Sequence, residues 1–172
     1  MLFRSGVVNG FDDLTLPGVS ITSPVTVSSY YVGATVATPV TGLRMGASWD
    51  YLDAHQGGDF YAMSVAGYLS YQATEKLSFH ARGEYFKDNG GVLFGSTLGV
   101  PSQAEVLALT GTVQYDLWKN VISRLEVRWD HSLHDAPLFG GTTATAGPGG
   151  TVLGGPNVDN AVMIAANIIY KF

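Results

Sequence analysis

Three constellations in this chain hold residue types that could do chemistry. The first is Asp130-His131-Ser132-Leu133-His134-Asp135, the one stretch with the character of a metal site. Two histidines three apart would share a face on a helix, but where a strand runs into a loop they point divergently. A solvated rim is expected there, and no metal is assigned. The second is Ser78 with His80, near Glu84 and Asp130 in type. A hydroxyl nucleophile needs a base, and the base needs an orienting partner. Ser78 and His80 are expected to face inward near one end of a strand with no third member evident. No catalytic residue is assigned, and the chain is expected not to be an enzyme. The third is a ladder of alternating charge: Arg82 and Glu84, then Arg124, Glu126, Arg128 and Asp130. Residues two apart share one face of a strand. Cross-strand ion pairs among these groups would make an enclosed polar face tolerable, and would set a transverse field across a water-filled pore.

Such ladders require strands, and the rest of the chain supplies them. Removing the neighbourhoods of the seven prolines and the Gly- and Asn-rich stretches leaves segments that alternate in polarity with period two. Residues 61–72 put Tyr61, Met63, Val65, Leu69 and Tyr71 on one face and Ala62, Ser64, Ala66, Tyr68 and Gln72 on the other. Residues 43–51, 77–86, 107–116, 124–130 and 162–172 behave alike, and 3–11 and 28–38 alternate less cleanly. Eight antiparallel strands are expected. Their links fall into two sorts that alternate: short at 39–41, 74–76 and 118–120, long at 12–27, 53–59, 88–103 and 133–158. Short turns at one end and long loops at the other mark a transmembrane barrel.

Composition narrows the class. Only 13% of residues are charged and 46% are hydrophobic, against about 25% charged in an average soluble domain. No apolar run reaches the ~18–20 residues of a membrane helix. The net charge is −5 with no Lys/Arg cluster, so nucleic acid is not an expected partner. Without cysteine there is no disulfide, thiol nucleophile or Cys-type zinc site. The glycine pairs at 149–150 and 154–155 lack the Lys-Ser/Thr of a phosphate-cradling loop, and no cofactor is expected. The segment 140–155 reads as low-complexity loop. The N-terminus lacks the apolar stretch of a signal peptide, so the chain reads as mature or truncated.

A strand of ~11 residues at ~3.3 Å rise and ~40° tilt spans roughly 28 Å, the height of the apolar band of such barrels. The aromatic residues fit two girdles. Trp49, Tyr51, Tyr61, Tyr85 and Trp129 are expected at the outer ends of strands, and Tyr71, Tyr115, Trp118, Tyr170 and Phe172 at the inner ends. The face opposite the apolar one carries Arg44, Asp50, His80, Arg82, Glu84, Arg124, Glu126, Arg128 and Asp130, the expected pore lining. In a soluble sandwich, the competing reading, that face would meet solvent instead.

Two resemblances add to this. The end of the chain, with Ile164, Ala166, Ile168 and Tyr170 at alternate positions before Phe172, resembles the assembly signal read by the barrel-assembly machinery. Gly6-Val7-Val8-Asn9-Gly10-Phe11, Ala81-Arg82-Gly83-Glu84-Tyr85-Phe86 and Arg124-Leu125-Glu126-Val127-Arg128-Trp129-Asp130-His131-Ser132 are similar to recurring pieces of the beta-barrel porin-2 (OmpL-like) family. That resemblance implies an up-and-down barrel in a bacterial outer membrane, surrounded by its lipid and able to form homo-oligomers. It also implies passive passage of small hydrophilic solutes or ions. Family members are longer, so residues 1–172 are expected to form one barrel domain, the C-terminal part of a larger one. Small inward residues such as Gly46, Ser48, Ala62, Ser64, Ala66, Thr110 and Thr112 suit a wide channel. The alternative is a small non-conducting barrel that anchors or presents loops, since eight closed strands enclose only enough room for their own side chains.

Overall fold

The computed structural model describes residues 1–12, 25–55, 59–90, 103–134, 137–140, 145–147, 150–152 and 156–172. Eight long strands form one antiparallel sheet in sequence order. They are β1 (Leu2–Asp12), β2 (Val25–Ala37), β3 (Leu43–His55), β4 (Asp59–Gln72), β5 (Leu77–Asn89), β6 (Gln103–Trp118), β7 (Val121–Ser132) and β10 (Asn160–Tyr170). A small hairpin, β8 (Thr145–Gly147) and β9 (Gly150–Val152), sits within the connection from β7 to β10. The architecture is the expected all-β, up-and-down one. Among the described residues no ladder joins β1 to β10, so the sheet is open. The strands run from 11 to 16 residues, well beyond the ~5–6 of a typical globular strand.

Turn chemistry fixes the register at one end. Between β2 and β3, Gly42 adopts φ 81° and a Cβ there would lie 2.7 Å from the Gln72 carbonyl oxygen, so both backbone and space require glycine. Its own carbonyl accepts the Gln72 N–H at 2.9 Å, tying this turn to β4. Between β4 and β5, the Thr74 hydroxyl oxygen accepts the backbone N–H groups of Lys76 and Leu77 at 3.3 and 3.0 Å. Residues 119–120 close the third turn.

At the other end the sorting of loops is less strict than expected. The link anticipated as long over 53–59 shrinks to residues 56–58, because β3 continues to His55 and β4 begins at Asp59. The polar residues there pair across strands instead of forming loop: Asp53 faces Tyr61 and His55 faces Asp59 in the ladder. The connections 13–24, 90–102 and 133–159 are long. Residues 13–24, 91–102 and most of the 140–155 segment lie outside the described residues, as does Asp135.

The pairing is continuous from β1 to β10 with one irregularity, between Asp116 and Trp118. Directly opposed residues share a face, so the register sorts every side chain. One face carries Met45, Val65, Leu69, Phe79, Leu109, Val113, Leu125, Val127, Ile164 and Ile168, all among the exposed large hydrophobics. The other carries the charged ladder. Apart from Ser28, every buried residue lies on that polar face, including Ala62, Ala66, Ala104, Ala108, Ser48 and Asp88. No second sheet or helix covers it among the described residues. A single sheet can bury small residues on one side only by curling toward that side. The polar face is therefore the inside of the curl and the apolar face its outside, the inverse of a soluble sandwich.

Candidate functional site

The polar face is built from rows of residues that oppose one another from strand to strand. One row runs Arg4, Gly33, Ser48, Ala66, Glu84, Ala108, Asp130, Ala161. The next toward the short turns runs Leu2, Thr35, Gly46, Tyr68, Arg82, Thr110, Arg128, Met163. The third runs Ala37, Arg44, Ser70, His80, Thr112, Glu126, Ala165. The nine charged or histidine residues singled out from the sequence all share this face; Asp50 and Arg124 lie in the flanking rows.

The ion pairs differ from expectation. Arg82 Nη2 meets Glu84 Oε1 at 2.7 Å, and Arg128 Nη2 meets Asp130 Oδ1 at 2.8 Å, both along one strand and not across two. The rows explain it. Arg82 is opposed by Tyr68 and Thr110, and Arg128 by Thr110 and Met163, so no acid stands across from either base. The long guanidinium folds toward the carboxylate two residues on. Hydroxyls and amides make the cross-strand links: Ser64 donates to Glu84 at 2.7 Å, Thr112 to Glu126 at 3.1 Å, and Arg124 Nε to Gln114 at 2.8 Å. Arg82 also stacks over the Tyr68 ring at 5.6 Å, and its Nε is buried without a partner.

The Ser78 hydroxyl and His80 Nε2 do meet, at 3.1 Å. Ser78 is buried at 4% exposure, and no carboxylate orients the imidazole among the described residues. His131 and His134 take separate partners. His131 stacks on Trp129 and its Nδ1 lies 3.0 Å from Asn160, while His134 Nε2 lies 3.0 Å from Glu105. His134 holds φ 64°, a left-handed conformation rare without glycine.

A charged pair on the apolar face escaped the sequence reading. Lys87 and Glu105 sit on the apolar face near the long-loop end, paired at 2.8 Å, with Tyr85 donating to Glu105 at 2.9 Å. Their odd numbers place them in phase with Tyr85 and Leu107, and that parity is the signal that could have found them. A clustered acid and base on this face marks the upper limit of the apolar band.

The aromatic residues largely take their expected ends. Tyr51 stacks on Tyr61 and on Trp49, each pair at 5.6 Å, and Trp129 Nε1 donates to Asn160 at 3.0 Å. Trp49 lies halfway along β3 instead of at its end, because that strand extends to His55. Tyr71, Tyr115 and Tyr170 cluster at the short-turn end on the apolar face. Trp118 joins them only because of the irregularity after Asp116. Without it, an even-numbered residue of β6 would face inward; with it, Trp118 opposes Val121, which also opposes the outward Tyr170.

Phe139 reaches the polar face from the 133–159 connection. Its backbone pairs with Val158, and its side chain joins Phe86, Val106 and Arg128 in lining a recess of about 300 Å³.

A curled, up-and-down antiparallel sheet, apolar outside and charged inside, with strands long enough for a bilayer, defines a porin-type β-barrel protein. The chain matches the family model described as Putative beta-barrel porin-2, OmpL-like, over residues 8–172, and it belongs to that family. No curated protein and no solved structure matches it.

Proposed function

We propose that the chain forms the wall of an outer-membrane diffusion channel that passes small hydrophilic solutes or ions without catalysis. The observation that carries this reading is the inside-out distribution of polarity: exposed aliphatic residues on the outside of the curl, ion pairs and small residues within. Such a sheet is stable only with hydrocarbon around it and water inside. In this reading outer-membrane lipid surrounds the apolar face, Tyr170 and Phe172 present the terminal strand to the assembly machinery, and protomers associate within the membrane. Single-channel recording in planar bilayers tests it: stepwise currents are expected, and their absence would overturn the channel. A second reading, a non-conducting anchor, is favoured by Phe139 sharing an inner recess with Phe86 and Arg128. Under the channel reading Phe139→Ala raises unitary conductance, whereas a barrel filled by its own side chains stays silent with either residue.

A further inference from the structure

We propose that the β1–β3 part of the inner wall is an anion-binding track, with Arg4 and Arg44 as its fixed positive charges, for small carboxylated or phosphorylated solutes. The proposal rests on the channel reading and names the solute class. The first observation is the state of the arginines on the polar face. Arg82 and Arg128 are neutralised by acids at 2.7 and 2.8 Å, and Arg124 is held by Gln114. Arg4 and Arg44 make no hydrogen bond or ion pair among the described residues.

The second observation is the room around them. Arg4 is opposed by Gly33, over which the Tyr31 side chain lies, and Arg44 by Ala37 and Ser70, so only small residues stand directly across from either arginine. Arg4, Tyr31, Ser48 and Tyr68 line a recess of about 320 Å³. Leu2 and Thr35 continue from it into a second of about 270 Å³ that includes Arg44. Arg44 in turn borders a third, of about 610 Å³, with Ser70 and Gln72. The three share residues and so run along one wall from mid-strand to the short turns. The nearest inward acid on these strands, Asp50, interacts electrostatically with Arg82 and Glu84. Arg4 and Arg44 thus stand on a stretch of wall where no acid pairs with them among the described residues, although the chain carries −5 overall.

The chemistry suits oxyanions. A guanidinium presents a planar fork of donors matched to carboxylate and phosphate, and keeps its charge at every physiological pH. The hydroxyls of Thr35 and Ser70, and the Ser48–Tyr68 pair joined at 2.9 Å with one proton to spare, border the same recesses and supply further donors. Two charges spaced along the wall offer sequential weak sites, which favours passage over trapping.

Two measurements on the refolded, membrane-reconstituted full chain test this. In the first, arginines are labelled with phenylglyoxal and located by peptide mass spectrometry, with inorganic phosphate, citrate or neither at matched ionic strength. Arg4 and Arg44 are expected to label fastest and to be protected. Protection by phosphate alone assigns phosphorylated solutes, by citrate alone carboxylated ones, and by both the shared oxyanion chemistry; protection by neither overturns the track. In the second, reversal potentials in a salt gradient compare the wild type with Arg4→Gln, Arg44→Gln and the double variant. Each substitution is expected to lower the anion-to-cation permeability ratio about sevenfold, because a unit charge ~7 Å away in water favours the anion and disfavours the cation by about threefold each. An unchanged ratio in the double variant overturns the proposal. Absence of any current overturns the channel reading instead, and the labelling result then decides the anion site by itself.

Discussion

The walls formed by β5–β7 and by β1–β3 share one outside and differ inside. On β5–β7 the inner face is charge-dense and largely paired within itself: each acid of the Arg82–Glu84 and Arg128–Asp130 pairs has its base, Ser64 and Thr112 tie Glu84 and Glu126 to neighbouring strands, and among the described residues only Arg82 Nε is buried without a partner. On β1–β3 the inner face includes Gly6, Gly33, Gly46, Thr35, Ser48, Tyr31, Asp50 and two arginines that make no hydrogen bond or ion pair among the described residues. The first wall uses its charges to hold itself together. The pairing pattern, not the count of charges, separates the two walls.

Four substitutions sharpen or break this comparison. The largest effect tests the shared outside. Val127→Arg on the dense wall and Val32→Arg on the open one should each destabilise the barrel by about 2–4 kcal/mol, as charges near the bilayer midplane do. Urea titration of refolding into vesicles measures it, and a cost at one wall only would mean that the walls do not both face lipid. Next, Asp130→Ala leaves Arg128 without its acceptor; with Asp130 17% exposed, a loss of about 1–2 kcal/mol is expected by the same titration. Smallest is Arg44→Gln, which removes no hydrogen bond or ion pair among the described residues and should stay within ~0.5 kcal/mol. A cost for Arg44→Gln equal to that for Asp130→Ala would erase the distinction between the walls.

Much of this was legible from parity alone. Alternation places every member of the charged ladder and most of the girdle on the correct face, because a strand's side-chain period is two and the pleat leaves no third option. What parity does not carry is offset between strands. The along-strand pairing of Arg82 with Glu84 follows from Tyr68 and Thr110 standing opposite, and that depends on the turns at Gly42 and Thr74. Strand ends were hidden for a related reason: Asp53 and His55 read as loop by polarity, yet their ladder partners Tyr61 and Asp59 keep them in the sheet. The Lys87–Glu105 pair was missed because it breaks the rule that charges face inward, which holds only within the apolar band. Phe139 could not be placed, since no periodicity governs a residue between strands.

The single irregularity between Asp116 and Trp118 has an evolutionary reach beyond its size. In a wall where inside and outside alternate residue by residue, inserting or losing one residue exchanges lipid contacts for water contacts all the way to the next turn. The one-residue offset at this point resets the phase just before the hairpin, so Trp118 takes the apolar face while the preceding stretch of β6 keeps its own sidedness. Length change within these strands is thus confined to pairs of residues, to the turns, and to this one place where the odd number has already been absorbed.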